Sequence, residues 1–191
     1  MTPQDILDFW FAAPGSAEHG QPRKCWFEKN PAFDEEIRAR FSDTLAAAVA
    51  GRLADWEASP ESLLTLIVLL DQFPRNLFRN DARAFATDPL ALIHAQTLIQ
   101  RGWNEQLAPL QRVFAYLPFE HSEDLAMQDR AVGLFTALSK AQPGFEGYLD
   151  YAERHGAVIR RFGRFPHRNA ALSRESTPEE IAYLQQPGAG F

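Results

Sequence analysis

From Leu63 to Leu70 the chain is almost unbroken in its apolarity, and it then turns abruptly polar around a proline in Asp71-Gln72-Phe73-Pro74-Arg75-Asn76. The run is too short to cross a bilayer, so it predicts a buried helix. Ser59-Pro60-Glu61 opens this helix, and it runs to about Gln72 with Pro74 as its stop. Other stretches carry an apolar stripe at helical spacing behind a start signal. Thr2-Pro3-Gln4-Asp5 precedes Ile6, Leu7, Trp10 and Phe11 on one face, and Asn30-Pro31 precedes Phe33, Ile37, Phe41, Leu45 and Val49, with Gly51 as the stop. Asp88-Pro89 opens a helix from Leu90 to Arg101 that ends at Gly102. Pro109 opens another that ends before Pro118, and Ser122-Glu123-Asp124 caps one running to about Ala141. A further helix spans Phe145 to about Phe162, with Gly156 as a possible interruption. Thr177-Pro178-Glu179-Glu180 is a capping box for a last short helix, and the tail over 185–191 is irregular.

The fold class follows from these elements and from residue usage. Val, Ile and Thr together number 19 against 49 for Ala and Leu, a ratio that favours helix over strand, so the chain is expected to be all-α. Pro31, Pro60 and Pro89 recur every 29 residues and each opens a helix, which suggests stacked helical hairpins. No Gly- or Ser-rich linker appears, so a single domain over 1–191 is expected. The net charge of −6 argues against nucleic acid as a partner. One cysteine, Cys25, permits no intrachain disulfide and reads as a small core residue beside Trp26 and Phe27. Met1–Trp10 has no Lys or Arg and no long apolar stretch, so no signal peptide, no membrane association and a cytoplasmic location are expected.

Three polar phrases are candidates for chemistry. In the first, Asp71, Gln72, Arg75 and Asn76 emerge at the edge of a hydrophobic core, where polar groups are paired or serve a ligand. Arg75 suits a carboxylate or phosphate, or else an ion pair with Asp71 that stitches the loop, as Arg79 also offers. In the second, Glu120, His121 and Glu123 bunch at a helix start, either as a proton-transfer or metal-ligand pair or as helix-stabilising charge. The third holds six arginines between Arg154 and Arg174, with His155 and His167, in an otherwise acidic chain. Within it, Arg164-Phe165-Pro166-His167-Arg168-Asn169 echoes Phe73-Pro74-Arg75-Asn76. The two phrases either frame one anionic pocket or form solvated basic faces. His94 reads as core or boundary, and the four tryptophans as packing residues. No phosphate-binding glycine loop, nucleophile motif or HExxH spacing occurs, so no cofactor and no metal are expected.

These phrases carry a resemblance. With Ile6–Phe11, Trp26-Phe27, Phe33-Asp34, Leu69–Arg79, Ala86-Thr87-Asp88-Pro89, Pro118–Asp124, Phe162–Asn169 and Thr177–Glu180 in order, the chain resembles the bacterial family catalogued as domain of unknown function 924. The closing segment reads Gly188-Ala189-Gly190-Phe191 where relatives tend to read Gly-Ser-Ser-Phe. The resemblance implies a tetratricopeptide-repeat-like helical fold and no activity. Three functions remain in view. The first is binding of a small anion or acidic peptide end by Asp71, Gln72, Arg75, Asn76, Glu120, His121, Arg164, His167 and Arg168. The second is a hydrolase-type or metal-assisted enzyme with Glu120 and His121 as acid–base residues and Arg75 as charge stabiliser. The third is a protein-interaction scaffold whose polar phrases are architectural. Ligand, pathway and oligomeric state are not written in these residues.

Overall fold

A computed structural model describes residues 1–190, and every regular element among them is helical: α1 Pro3–Phe11, α2 Pro31–Val49, α3 Pro60–Asp71, α4 Phe73–Leu77, α5 Asp88–Gln100, α6 Pro109–Glu120, α7 Leu125–Ala141, α8 Glu146–Phe162 and α9 Pro178–Leu184, joined by turns and short 3-10 segments. Phe191, the end of the expected irregular tail, lies outside the described residues. Among the described residues no helix is long and apolar enough to cross a membrane. The chain divides into two compact units. The first holds Met1–Arg79 and Arg83–Pro118, and the second holds Asn80–Ala82 and the chain from Phe119 on.

Side chains write the helix starts. Thr2, Ser59 and Thr177 form capping boxes, and Asn30 and Asp124 accept from backbone amides of the first turns of α2 and α7. Pro31, Pro60 and Pro89 all stand in first turns, where a missing N–H costs nothing. Gly51, Gly102 and Gly163 follow helix ends with φ of 68°, 66° and 68°, a left-handed backbone that glycine adopts without strain. Gly156 does not interrupt α8, which is continuous.

In the first unit α3 is buried from Leu63 through Asp71 and packs most extensively on α5, with α1, α2 and α4 also against it. Each apolar side chain fully withdrawn from water there contributes about 1.5–3 kcal/mol, which makes α3 the anchor of this unit. An aromatic cluster completes the core. Phe9 stacks on Phe33 at 4.9 Å, and Phe114 meets the edges of Trp10 and Trp26 at 5.6 and 4.8 Å. Trp26 is buried, but Cys25 is only half-buried and Phe27 is 60% exposed, so the expected core position of Cys25 is corrected.

In the second unit α7 and α8, joined by four residues, pack along each other. Val158, Ile159 and Phe165 form a core, with Phe162 and Tyr183 against it.

Candidate functional site

The break at Pro74 shows how the first polar phrase is built. Pro74 stands inside the first turn of α4 rather than ending α3, because α3 stops at Asp71 with Gln72 as its cap. Pro74 has no N–H for the Leu70 carbonyl, and that carbonyl accepts instead from the Thr87 hydroxyl at 2.5 Å. The Asp71 carbonyl, exposed by the same break, accepts from Arg75 Nη1 at 2.5 Å. Arg75 then grips Asp88 in bidentate fashion, Nη1–Oδ1 at 2.8 Å and Nη2–Oδ2 at 2.9 Å, with Asp71 Oδ1 3.5 Å away. Burial works against its charge, yet Asp71 and Asp88 hold the guanidinium pKa above its ordinary value. Gln72 donates to the Asp71 carboxylate and Asn76 to Asp34. Arg79 is bidentate on Asp34 at 2.8 and 2.9 Å. Burial would raise the Asp34 pKa, but the bonds from Arg79 and Asn76 keep it below the usual range. Asp71, Gln72, Arg75 and Asn76 thus close a network that ties α3, α4 and the start of α5 to α2.

The second phrase is placed differently from expectation. Pro118 lies inside α6, not beyond its end. A proline in the last turn forfeits one donated bond, and buried Phe119 and Glu120 carry the helix two residues further. The carbonyls of this helix end are capped by a buried amide: Gln128 Nε2 donates to Glu120 O at 2.7 Å and to Ser122 O at 2.5 Å. Glu120 therefore closes α6 instead of opening α7, whose cap is Asp124. Its carboxylate turns to a residue that sequence reasoning left within the basic segment, His155 of α8, at 3.1 Å from Nδ1. The same Nδ1 is 2.8 Å from the Tyr151 carbonyl. A carbonyl only accepts, so Nδ1 carries the hydrogen and Nε2 is left as an acceptor.

Four more side chains gather here. The His121 ring lies 6.3 Å from that of His155. Phe165 packs 5.5 Å from His155 on one side and 5.5 Å from His167 on the other, and the Arg168 guanidinium sits 4.5 Å over the Phe165 ring. Glu120, His155, Phe165 and Arg168 are buried, while His121 and His167 are half-buried. Burial pushes the His155 pKa down to about 3. The positive neighbours His121, His167 and Arg168 act in the same direction, against the Tyr151 carbonyl. The unfolded histidine takes up a proton near its ordinary 6.5 and the folded one does not, so this stability is whole above pH 6.5 and is lost as pH falls from there toward 3. The melting temperature is expected to fall between pH 7.5 and 5, and His155→Asn, which keeps a donor for Tyr151, to shrink that fall by about half. An unchanged fall in the variant would show that other groups titrate.

The remaining polar residues hold the loop that carries His167 and Arg168. Glu123 accepts from the Phe165 amide at 2.7 Å and pairs with Arg174 at 2.6 and 2.9 Å; burial opposes its charge, but these bonds keep its pKa low. Arg174 reaches Asn169, Asn169 reaches Glu180, and Arg164 is bidentate on Glu180 at 2.6 and 2.8 Å. Arg160 and Arg161 pair with Asp129 and Glu179. In the second unit the structure therefore brings together Glu120, His121, His167 and Arg168, adds His155, and turns Arg164 to Glu180. The phrase around Arg75 belongs to the first unit. Only the placement of His155 on the buried face of α8, between Ala152 and Ile159, signals its part in the sequence. Among the described residues, no group of three or more His, Cys, Asp or Glu side chains is arranged to hold a metal ion.

Comparison with known proteins adds the following. The model of a bacterial protein family of unknown function, DUF924, matches residues 6–188. The solved structure of a protein of unknown function from Agrobacterium tumefaciens is similar over 96% of each chain, at 45% identity and a TM-score of 0.82. No curated protein matches the chain.

Proposed function

We propose that this chain, which belongs to the bacterial DUF924 family of unknown function, binds a small anion, a phosphate or a carboxylate such as an acidic peptide end, at the His121/His155/His167/Arg168 cluster of its second unit. The observation that carries the reading is the gathering of His155, His167 and the buried Arg168 guanidinium around the Phe165 ring, with the His121 ring beside His155. A buried Arg is an anion-binding group of fixed charge, and the half-buried imidazoles supply donors at the solvent edge. Glu120 has a separate role. By engaging Nδ1 it fixes the ring of His155, so the carboxylate orients the cluster rather than meeting the ligand.

The test is calorimetric titration of the full chain with inorganic phosphate and with a short peptide ending in a free carboxylate. His121→Ala and Arg168→Lys are each expected to weaken binding by about tenfold or more, the scale of one charge-assisted hydrogen bond. Absence of binding by both probes, or binding indifferent to both substitutions, would overturn the reading.

A further inference from the structure

In the first unit, α5 turns an uncharged face to solvent. Ala91, Ala95 and Leu98 are buried and seat the helix on α3. Helical spacing places Pro89, Leu90, Ile93, Gln96, Thr97 and Gln100 on the opposite side. Leu90 is 38% exposed and Ile93 55%, with Leu92 and Ile99 half-buried at one flank. A helix packed on a core by one stripe ordinarily carries charge on its other side. Past Asp88, which Arg75 grips, α5 has no Lys, Arg, Asp or Glu, unlike every other described helix of eight or more residues. At the other flank His94 lies 3.9 Å from Glu57, and burial holds its pKa below the ordinary value, so the imidazole is neutral at pH 7. Arg101 donates to the Glu57 carbonyl at 2.8 Å, so this edge holds one charge of each sign.

Charge decides what fits this face. The chain carries a net −6, so two copies repel wherever their acidic surfaces meet, and across the outer side of α5 they approach with no like charges opposed. The face is also complementary to itself. Gln96, Thr97 and Gln100 are side chains that both donate and accept hydrogen bonds, so each can pair with its own kind, as a two-fold contact between identical surfaces demands. Two helices packed antiparallel also bring the opposite ends of their dipoles together.

We infer that the outer face of α5 is a contact with a second copy of this chain, the two helices antiparallel and the two-fold axis passing at Ile93. Ile93 is the most exposed apolar side chain of the face. An axis there sets it against its counterpart and sets Leu90, three residues earlier, against the stem of Gln96, three residues later in the other copy. The 13 residues of α5 span about 20 Å. One helix face of that length buries less than the roughly 800 Å² per partner of stable complexes, so the dimer is weak, with a Kd of about 10–100 µM. This contact lies in the first unit and is independent of the anion reading.

The experiment is sedimentation velocity on the full chain from about 1 to about 500 µM, a range that brackets the expected Kd. The parent is expected to pass from monomer to dimer across it. Ile93→Glu and Ile93→Lys each place like charges on the axis and are expected to weaken association by about a hundredfold, leaving monomer throughout. Position 93 is exposed, so both variants are expected to melt with the parent. An equimolar mixture of the two is expected to regain the dimer, because opposite charges then meet across the axis. Ile181→Glu, at an isoleucine of α9 that is 49% exposed, is expected to dimerise like the parent. A parent still monomeric at the highest concentration, association that survives Ile93→Glu, equal loss in Ile181→Glu, or a mixture that stays monomeric would overturn the inference.

Discussion

Replacing Arg75 with alanine is expected to lower the melting temperature by about 10 °C. The residue it leaves behind decides the size of the effect. Asp71 is fully buried, and it and Asp88 hold the Arg75 charge. Removing one member of a buried pair strands the other, at a cost of about 3–5 kcal/mol, and for a chain of this length each kcal/mol moves the midpoint by about 2–4 °C. The Asp71 carbonyl also loses its donor. A double variant separates stranded charge from lost packing. Arg75→Ala with Asp71→Asn neutralises the carboxylate and is expected to recover a good part of the loss. A single variant melting within 2 °C of the parent would mean that Gln72, not Arg75, satisfies Asp71. A double variant no better than the single would place the cost in the stem of Arg75 over Phe85.

This network shows where the sequence is legible and where it is not. Helix starts are local, written within four residues, and Thr2, Asn30, Ser59, Pro89, Asp124 and Thr177 all mark real ones. The apolar run of α3 is legible for the same reason. A helix apolar on every face has no solvated side. Polar partners are not local. Arg75 has Asp71 four residues away and takes its bidentate grip on Asp88, thirteen away; Asn76 and Arg79 both reach Asp34, and Glu123 finds Arg174 fifty-one residues on. Such pairings follow from packing, and sequence separation carries no trace of them. Pro118 fails in the opposite direction. The local rule reads a proline as a stop, but in a last turn the rule costs one bond, and the burial of Phe119 and Glu120 outweighs it. That single misreading placed Glu120, which ends α6, at a helix start, and with it hid His155 as its partner.

In the second unit, breaking the Arg164–Glu180 pair is expected to change stability most, and to do so with a defined pH signature. Glu180 is buried in α9. Both its oxygens accept from Arg164, and Oε2 also accepts from the Thr177 amide at 2.8 Å and from Asn169 at 3.3 Å. Arg164 above all, with Thr177 and Asn169, holds the carboxyl pKa at about 2 against the opposing effect of burial. The unfolded carboxylate takes up its proton near 4.5 and the folded one only near 2. The stabilisation is therefore complete above pH 4.5 and is lost as pH falls from there to 2, a window distinct from the fall that begins near 6.5 with His155. Glu180→Gln is expected to lower the melting temperature at pH 7 by several degrees, for about 2 kcal/mol, because Arg164 is partly exposed and keeps the Glu175 carbonyl. Arg164→Met is expected to cost more, since it leaves the charge on the buried side, the same asymmetry that governs Arg75 and Asp71. Melting curves from pH 7 to 2.5 discriminate. The acid limb below 4.5 flattens in Glu180→Gln if this carboxylate drives it. An unaltered limb, or an Arg164→Met variant more stable than Glu180→Gln, would assign the loop around His167 and Arg168 to Glu123 and Arg174 instead.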